Sequence, residues 1–350
     1  MPDRLKSLRS LFSNYSIDGL LITSDPNIRY LTKFPVSESW LLVTATRAFY
    51  ITDFRYVLEA KQGLPSNVHV ERYAKSFYEK VNELTLKYKI KNLGFDSRHV
   101  SLAQYHLLKK NLSKVHLIEA DNLVETLREA KDEGEIKLIR EALKIHKEAL
   151  RRVRAAIRPG VTERDVFLKL DDYVKSKGVG YSFSPIIASG PNSAFPHARV
   201  TDRKIKNNEP VLIDMGIDVK GYKSDLTRMV FLGRIAHLVS RVNSLVYEAQ
   251  QKAIKLIKPG VCIAEVDTAA RDFLKKMGYG EYFGHALGHG VGLEIHEAPR
   301  LSGTNKGILR PGMVITVEPA VYLPNKFGIR LEEMVLVTRK GCEVLSGNIH

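Results

Sequence analysis

Ile157-Arg158-Pro159-Gly160-Val161 recurs as Ile257-Lys258-Pro259-Gly260-Val261, 100 residues further along the chain. A helix-like segment follows each copy, ending at Lys177-Gly178 in the first and Met277-Gly278 in the second. A histidine comes next, His197 or His296, and then a pair of strand-like segments carrying two carboxylates. A Pro-Gly helix stop is a common motif on its own. The shared order of four features points instead to a duplicated unit. Two such units pack most simply about a pseudo-twofold axis, with their strand pairs meeting at the centre.

In the first strand pair, Val211-Leu-Ile-Asp214-Met-Gly is apolar except for its aspartate. A turn at Asp218-Val-Lys-Gly221 follows, and a second strand from Tyr222 to Leu232 carries Asp225. A hairpin centred between Val219 and Lys220 sets Asp214 opposite Asp225. Cross-strand neighbours lie about 5 Å apart, so two carboxylates there repel unless one is protonated or a cation lies between them. In the second pair, Val314-Ile-Thr-Val-Glu318 and Gly328-Ile-Arg-Leu-Glu332 flank a loop over Tyr322–Phe327. Centring on Asn325 makes Glu318 face Glu332. Two facing carboxylate pairs at matching positions of a repeat predict a metal site.

Between these pairs lies Gly284-His285-Ala-Leu-Gly288-His289-Gly290-Val-Gly292-Leu-Glu-Ile-His296. Its glycines exclude a stable helix and let the backbone crowd a site. His285, His289 and His296 are therefore expected to line a cavity. The segment opens no helix, so it is not a dinucleotide fingerprint, and His296-Glu297 lacks the second histidine of the helical zinc-protease motif. Four carboxylates and an imidazole are too oxygen-rich for structural zinc. They suit manganese, cobalt or iron, and can hold two ions with bridging carboxylates. Such a pair acidifies a water into a nucleophile near neutral pH.

Outward from this centre, Asp132 and Glu135 form a capping-box pair for a long amphipathic helix that Pro159-Gly160 stops. The segment before it alternates helix and strand signals. Helical spacing links Leu5 to Tyr15, and further helices fit Tyr78–Tyr88 and Leu102–Leu112. Strands are expected at Gly19–Thr23, Val68–Tyr73, Leu93–Asp96 and Leu117–Ala120, with two more in Leu41–Thr52 broken by a bend at Ala45–Arg47. The 350 residues thus divide into an α/β domain over 1–124 and a duplicated α+β domain over 125–350.

The composition, 44% apolar and 27% charged, is globular. No segment is apolar for long enough to cross a membrane. MPDRLKSLRS has no apolar run behind it, which predicts no secretory signal. Cys262 and Cys342 have neither zinc nor redox spacing, and they predict a reducing, cytoplasmic setting. The net charge of +15 is spread along the chain without interleaved aromatics, so it predicts a solvated surface and no nucleic-acid partner.

The order Asp214, Asp225, His289, Glu318, Glu332 resembles the metal-ligand order of the pita-bread metallopeptidases. Ala188-Ser-Gly-Pro-Asn-Ser-Ala-Phe-Pro-His197, Gly288-His-Gly-Val-Gly-Leu-Glu-Ile-His296-Glu and Gly312-Met-Val-Ile-Thr-Val-Glu318-Pro are similar to the proline-specific branch, as is Asn27-Ile-Arg-Tyr-Leu-Thr32 to its N-terminal domain. Pro319-Ala-Val-Tyr322 and Leu331-Glu332-Glu333 depart from the common Pro-Gly-Ile-Tyr and Ile-Glu-Asp, and neither change removes a ligand. The resemblance implies a creatinase/prolidase-like N-terminal domain and a pita-bread catalytic domain with two divalent ions, manganese or cobalt, with iron or zinc as alternatives. It implies that Asp214 binds one ion, that Asp225 and Glu332 bridge, and that His289 and Glu318 complete the second, with Glu318 also shuttling a proton. His197 and His296 would contact the scissile region, and His285 the proline pocket. Tyr322 and Arg330 would support the site from behind or from the substrate side, and Arg300 would face the substrate. The implied activity is cleavage between an N-terminal residue and a following proline by a homodimer. Dipeptides are the expected substrates, with an aminopeptidase on longer peptides as the alternative, and a non-catalytic pita-bread binding protein as a third reading.

Overall fold

The computed structural model describes residues 3–347. The chain divides into two compact units, 1–128 and 129–350. In the first, helices α1 (Arg4–Arg9), α2 (Asp25–Thr32), α3 (Val57–Gly63), α4 (Phe77–Lys87), α5 (Leu102–Asn111) and α6 (Leu123–Arg128) accompany six strands. The strands are β1 (Gly19–Ile22), β2 (Ser39–Thr44), β3 (Ala48–Thr52), β4 (His69–Arg72), β5 (Asn92–Phe95) and β6 (His116–Glu119), in the sheet order β4-β3-β2-β1-β5-β6. β1 pairs antiparallel with β2 and parallel with β5. Leu21, Leu42, Phe49, Ile51 and Leu93 fill the core beneath α4 and α5. The bend at Ala45–Arg47 turns back on Thr44, whose hydroxyl accepts from the Arg47 amide at 3.0 Å. The helix expected from Leu5 to Tyr15 ends at Arg9. Phe12–Tyr15 winds into a tighter 3₁₀ turn, where Ser13 and Asn14 favour turn geometry over helix.

The second unit repeats helix, helix, hairpin. Its first half has α7 (Glu133–Ala156) and α8 (Glu163–Ser176), both started by complete capping boxes. Strands β7 (Gly180–Tyr181), β8 (Ile186–Ser189), β9 (Pro210–Met215), β10 (Ile217–Val219), β11 (Tyr222–Lys223) and β12 (Leu226–Phe231) follow. The second half has α9 (His237–Leu256) and α10 (Ile263–Lys276). Its strands are β13 (Gly288–Gly290), β14 (Glu297–Leu301), β15 (Val314–Val317), β16 (Ala320–Leu323), β17 (Phe327–Arg330), β18 (Glu333–Val337) and β19 (Cys342–Val344). α9 and α10 pack with β15 to β18 around Val246, Ala270, Ile315 and Ile329, all inaccessible to solvent.

The first hairpin differs from its expected register. Val219 pairs with Tyr222, so the tight turn is Lys220-Gly221, and both residues have positive φ, 50° and 86°. This is the two-residue turn whose twist suits a hairpin. Asp214 therefore lies opposite Thr227, not Asp225. The expected continuous strand from Tyr222 is also broken, and Asp225 falls in the gap between β11 and β12. Because the register moves by an even number of residues, Asp225 keeps the face of Asp214. In the second hairpin Val317 pairs with Glu333 and Leu323 with Phe327. That register carries Glu318 opposite Glu332, just beyond the ends of β15 and β18.

Candidate metal centre

Asp214 is the penultimate residue of β9, an otherwise apolar, fully buried strand. Asp225 emerges from the strand break, and Glu318 and Glu332 from the ends of β15 and β18. Backbone bonds join these positions: the Glu332 amide donates to the Thr227 carbonyl at 3.3 Å, and the Glu318 amide to the Leu287 carbonyl at 2.8 Å. The glycines of the histidine segment permit this approach. A Cβ on Gly288 would lie 2.1 Å from the Thr316 carbonyl oxygen, and one on Gly290 would lie 2.3 Å from that of Ala298.

Asp225, His289 and Glu332 offer ligand atoms within 4.8 Å of one another. His289 Nε2 lies 3.3 Å from Glu318 Oε1 and 3.6 Å from Asp225 Oδ2. Its Nδ1 faces the Gly290 carbonyl at 3.1 Å, which fixes the proton on Nδ1 and leaves Nε2 available as a ligand. Asp214 is drawn by Arg330, whose Nη2 donates to Oδ2 at 2.5 Å, while Oδ1 is buried without any hydrogen-bond partner. The Thr227 hydroxyl donates to Glu332 at 2.8 Å and accepts from Arg330 Nε at 3.0 Å. Thr316 Oγ1 accepts from the His289 amide at 3.0 Å and donates to Glu318 at 3.2 Å.

All eleven site residues named from the sequence line one cavity of ≈ 1400 Å³. His285 reaches the Tyr322 hydroxyl at 3.2 Å, which also accepts from Arg330 Nη1 at 2.6 Å. His296 packs edge-on to His289, with ring centroids 4.3 Å apart. His197 and Arg300 are exposed at the rim. Arg330 spends its guanidinium on Asp214, Thr227, Tyr322 and the Pro196 carbonyl, so it is built into the wall.

Burial pushes the carboxyls of Asp225 and Glu332 well above the usual range, and neighbouring carboxylates push them further. Asp214 is raised by the same burial, against the opposing charge of Arg330. Burial also raises Glu318, but the hydrogen bond and charge of His289, with His285 and Arg330, outweigh it and hold Glu318 below the glutamate range. Burial lowers His285 and His296, so both are neutral at pH 7. It pushes the Tyr322 phenol up to about 12. A cluster this rich in buried carboxylates, with one guanidinium and an orphaned Asp214 oxygen, fits divalent cations.

Thr227 and Thr316 were not found from the sequence. The corrected register would have exposed Thr227 as the partner of Asp214, and Thr316 shares a strand face with Glu318. Also missed was Asp267, fully buried on α10, which accepts from the Leu287 amide at 3.0 Å between His285 and His289. Arg271 pairs with Asp267 at 2.8 Å and donates to the carbonyls of Phe283 and His285. Asp267 stands at helical spacing from Arg271, a pattern that reads as an ordinary surface pair.

Two duplicated hairpins converging on an acidic, histidine-lined cavity define a metal-dependent hydrolase. The model of metallopeptidase family M24 matches residues 137–339, and that of the creatinase/prolidase N-terminal domain matches residues 4–130. The chain belongs to the M24 family, whose members use divalent metal ions. It is 35% identical to an Xaa-Pro dipeptidase of Pyrococcus horikoshii, over 99% of this chain and 97% of the relative. Among solved structures, an Xaa-Pro dipeptidase from Bacillus anthracis matches with a TM-score of 0.95 at 36% identity, covering 99% of this chain and 97% of that one. An X-Pro aminopeptidase from Thermotoga maritima matches with a TM-score of 0.88, also at 36% identity, covering 95% and 96%. Among the described residues, no helix is long and apolar enough to cross a membrane.

Proposed function

We propose that this metallopeptidase hydrolyses the bond between an N-terminal residue and a following proline, with Xaa-Pro dipeptides as its substrates. The observation that carries this reading is a complete carboxylate and histidine ligand set in the same cavity as Arg300. Among the described residues no carboxylate pairs with that guanidinium, which leaves its fork for a substrate carboxylate.

Asp214, Asp225, His289, Glu318 and Glu332 would hold two divalent ions, with manganese or cobalt suiting this donor set. Bound there, such ions would supply positive charge that acidifies water and polarises the scissile carbonyl. Glu318, kept ionised by His289, takes the proton of the attacking water and delivers it to the leaving proline nitrogen. His296 and His197 donate hydrogen bonds to the oxyanion that develops at the carbonyl. His285, braced by Tyr322, shapes the pocket for the proline ring. Arg330 orients Asp214. The chain acts as a homodimer in the cytoplasm, a setting consistent with its two free cysteines.

Aminopeptidase action on longer peptides is the second reading, supported by the equal identity to the Thermotoga enzyme. Metal-reconstituted enzyme assayed on Xaa-Pro and Xaa-Pro-Yaa substrates with the same first residue tests the choice. A higher kcat/KM on the dipeptide supports the dipeptidase. A preference for the tripeptide replaces it with the aminopeptidase, and hydrolysis of neither would indicate a binding protein.

A further inference from the structure

Glu163 opens α8 and is wholly buried, yet it touches none of the proposed metal ligands. Its carboxylate collects donors from both ends of one loop. Oε1 accepts from the Ser189 amide at 2.7 Å and hydroxyl at 2.8 Å, and Oε2 from the Thr201 amide at 3.2 Å and hydroxyl at 2.6 Å. Asn192 Nδ2 donates to both oxygens, at 3.1 and 3.2 Å. Residues 189 to 201 thus form a loop closed at its base by one side chain. His197 lies on that loop; beside it Arg330 donates to the Pro196 carbonyl at 3.1 Å, and earlier in the loop the Ser193 hydroxyl accepts from the Gly328 amide at 2.9 Å. The Glu163 and Arg164 amides, at the start of the same helix, donate to the Arg203 and Thr201 carbonyls at 3.1 Å each and fix the outgoing strand of the loop. In the other half of the duplication a buried carboxylate on the second helix also holds a histidine-bearing segment, with Asp267 accepting from the Leu287 amide between His285 and His289.

We infer that Glu163 is a positioning residue for His197: it holds the loop so that the imidazole meets the scissile carbonyl. This rests on the role proposed above for His197. The chemistry of the carboxylate makes the inference testable with a small change. Every bond to Glu163 comes from a donor, and a backbone N–H faces each oxygen. An amide in either orientation therefore meets one of these N–H groups with its own NH₂, and the loop base must open. A shift of about 1 Å in a group that acts on the transition state can cost up to ~10²-fold in rate.

The test is a double-mutant cycle on a metal-reconstituted Xaa-Pro assay, with wild type, Glu163→Gln, His197→Ala and the double variant, and with metal content and thermal unfolding measured for each. A positioning role lowers kcat ~10-fold or more in Glu163→Gln, with KM and metal content little changed. In the His197→Ala background the same substitution costs less than ~2-fold, because its effect runs through the missing imidazole. Equal losses in both backgrounds, or a folded Glu163→Gln enzyme with wild-type kcat, overturn the inference. If Glu163→Gln does not fold, Thr201→Val removes one hydroxyl bond and must give the same non-additivity at smaller size. A His197→Ala enzyme with undiminished kcat would instead refute the role of His197, a failure distinguishable from that of Glu163.

Discussion

Arg330 donates to one oxygen of Asp214 at 2.5 Å and leaves the other oxygen buried and unpartnered. The guanidinium does not pair the carboxylate off; it aims it. With Nε on Thr227 and Nη1 on Tyr322, the fork is fixed on three sides, and Oδ1 is turned away from it. A buried oxygen without a donor is costly unless a cation lies beside it. Burial raises Asp225 and Glu332 most, and the excess negative charge of four carboxylates against one guanidinium raises them further.

Removing the charge of either proposed bridging carboxylate should therefore release metal. Asp225→Asn and Glu332→Gln should each retain fewer ions than wild type, with near-complete loss of hydrolysis. Elemental analysis of the purified variants checks this, and wild-type metal content in either would contradict bridging.

His296 stands at the cavity without being a proposed ligand, neutral because burial lowers it. A neutral donor that acts on developing charge contributes to kcat more than to binding. His296→Ala should lower kcat by ~10²-fold at unchanged metal content. Steady-state kinetics that show only a raised KM would reassign it to substrate binding.

His146 predicts an acid response independent of catalysis. It is fully buried on α7, with Nδ1 3.1 Å from the Ser224 hydroxyl, and burial pulls it down to about 3. Its folded value lies below the unfolded one, near 6.5, so the unfolded chain takes up the proton first as pH falls. The stability it contributes is complete above about pH 6.5 and drains away towards pH 3. At ~1.4 kcal/mol per pH unit, about 2 kcal/mol of it is gone at pH 5. His146→Asn should be less stable at pH 7 but lose less on acidification. Urea unfolding of both proteins at pH 7 and pH 5 measures the difference, and parallel losses would show that His146 titrates normally.

The legibility of the chain follows from which interactions are local. The capping boxes at Asp132 and Thr162 and the stop at Pro159-Gly160 act within a few residues, so the helices of the second unit could be read along the sequence. The second hairpin was also readable, because Asn325 accepts a positive φ of 60° and fixes the turn. In the first hairpin the turn lay one residue later than supposed, and this moved Asp225 off its partner while sparing its face. The Ser24-Asp25-Pro26 start of α2 was overlooked, although Pro26 in the first turn is a helix signal. Glu163 and Asp267 were invisible for a different reason. The loop groups they hold lie 26 to 38 residues from Glu163 and 20 from Asp267, and a charged residue in a helix reads as solvent-facing until the fold buries it.

Substrate length turns on Arg300. It lies on β14, four residues beyond His296, exposed at the rim of the cavity. The strand keeps its backbone in place, with the Arg300 carbonyl accepting from Asn305 at 2.8 Å. In an Xaa-Pro dipeptide the free carboxylate is on the proline itself, one residue from the scissile bond. In Xaa-Pro-Yaa that position is an amide, and the carboxylate lies at least a residue further out. A guanidinium that binds the first through two parallel hydrogen bonds has no equivalent grip on the second. Because Arg300 is exposed, solvent screening tempers the gain. Arg300→Ala should lower kcat/KM on Xaa-Pro by at least ~10-fold and change it less than ~2-fold on Xaa-Pro-Yaa. Arg300→Lys, which keeps the charge but not the fork, should fall between wild type and alanine on the dipeptide. Equal losses on the two substrates would mean that Arg300 does not read the carboxylate, and would favour the aminopeptidase.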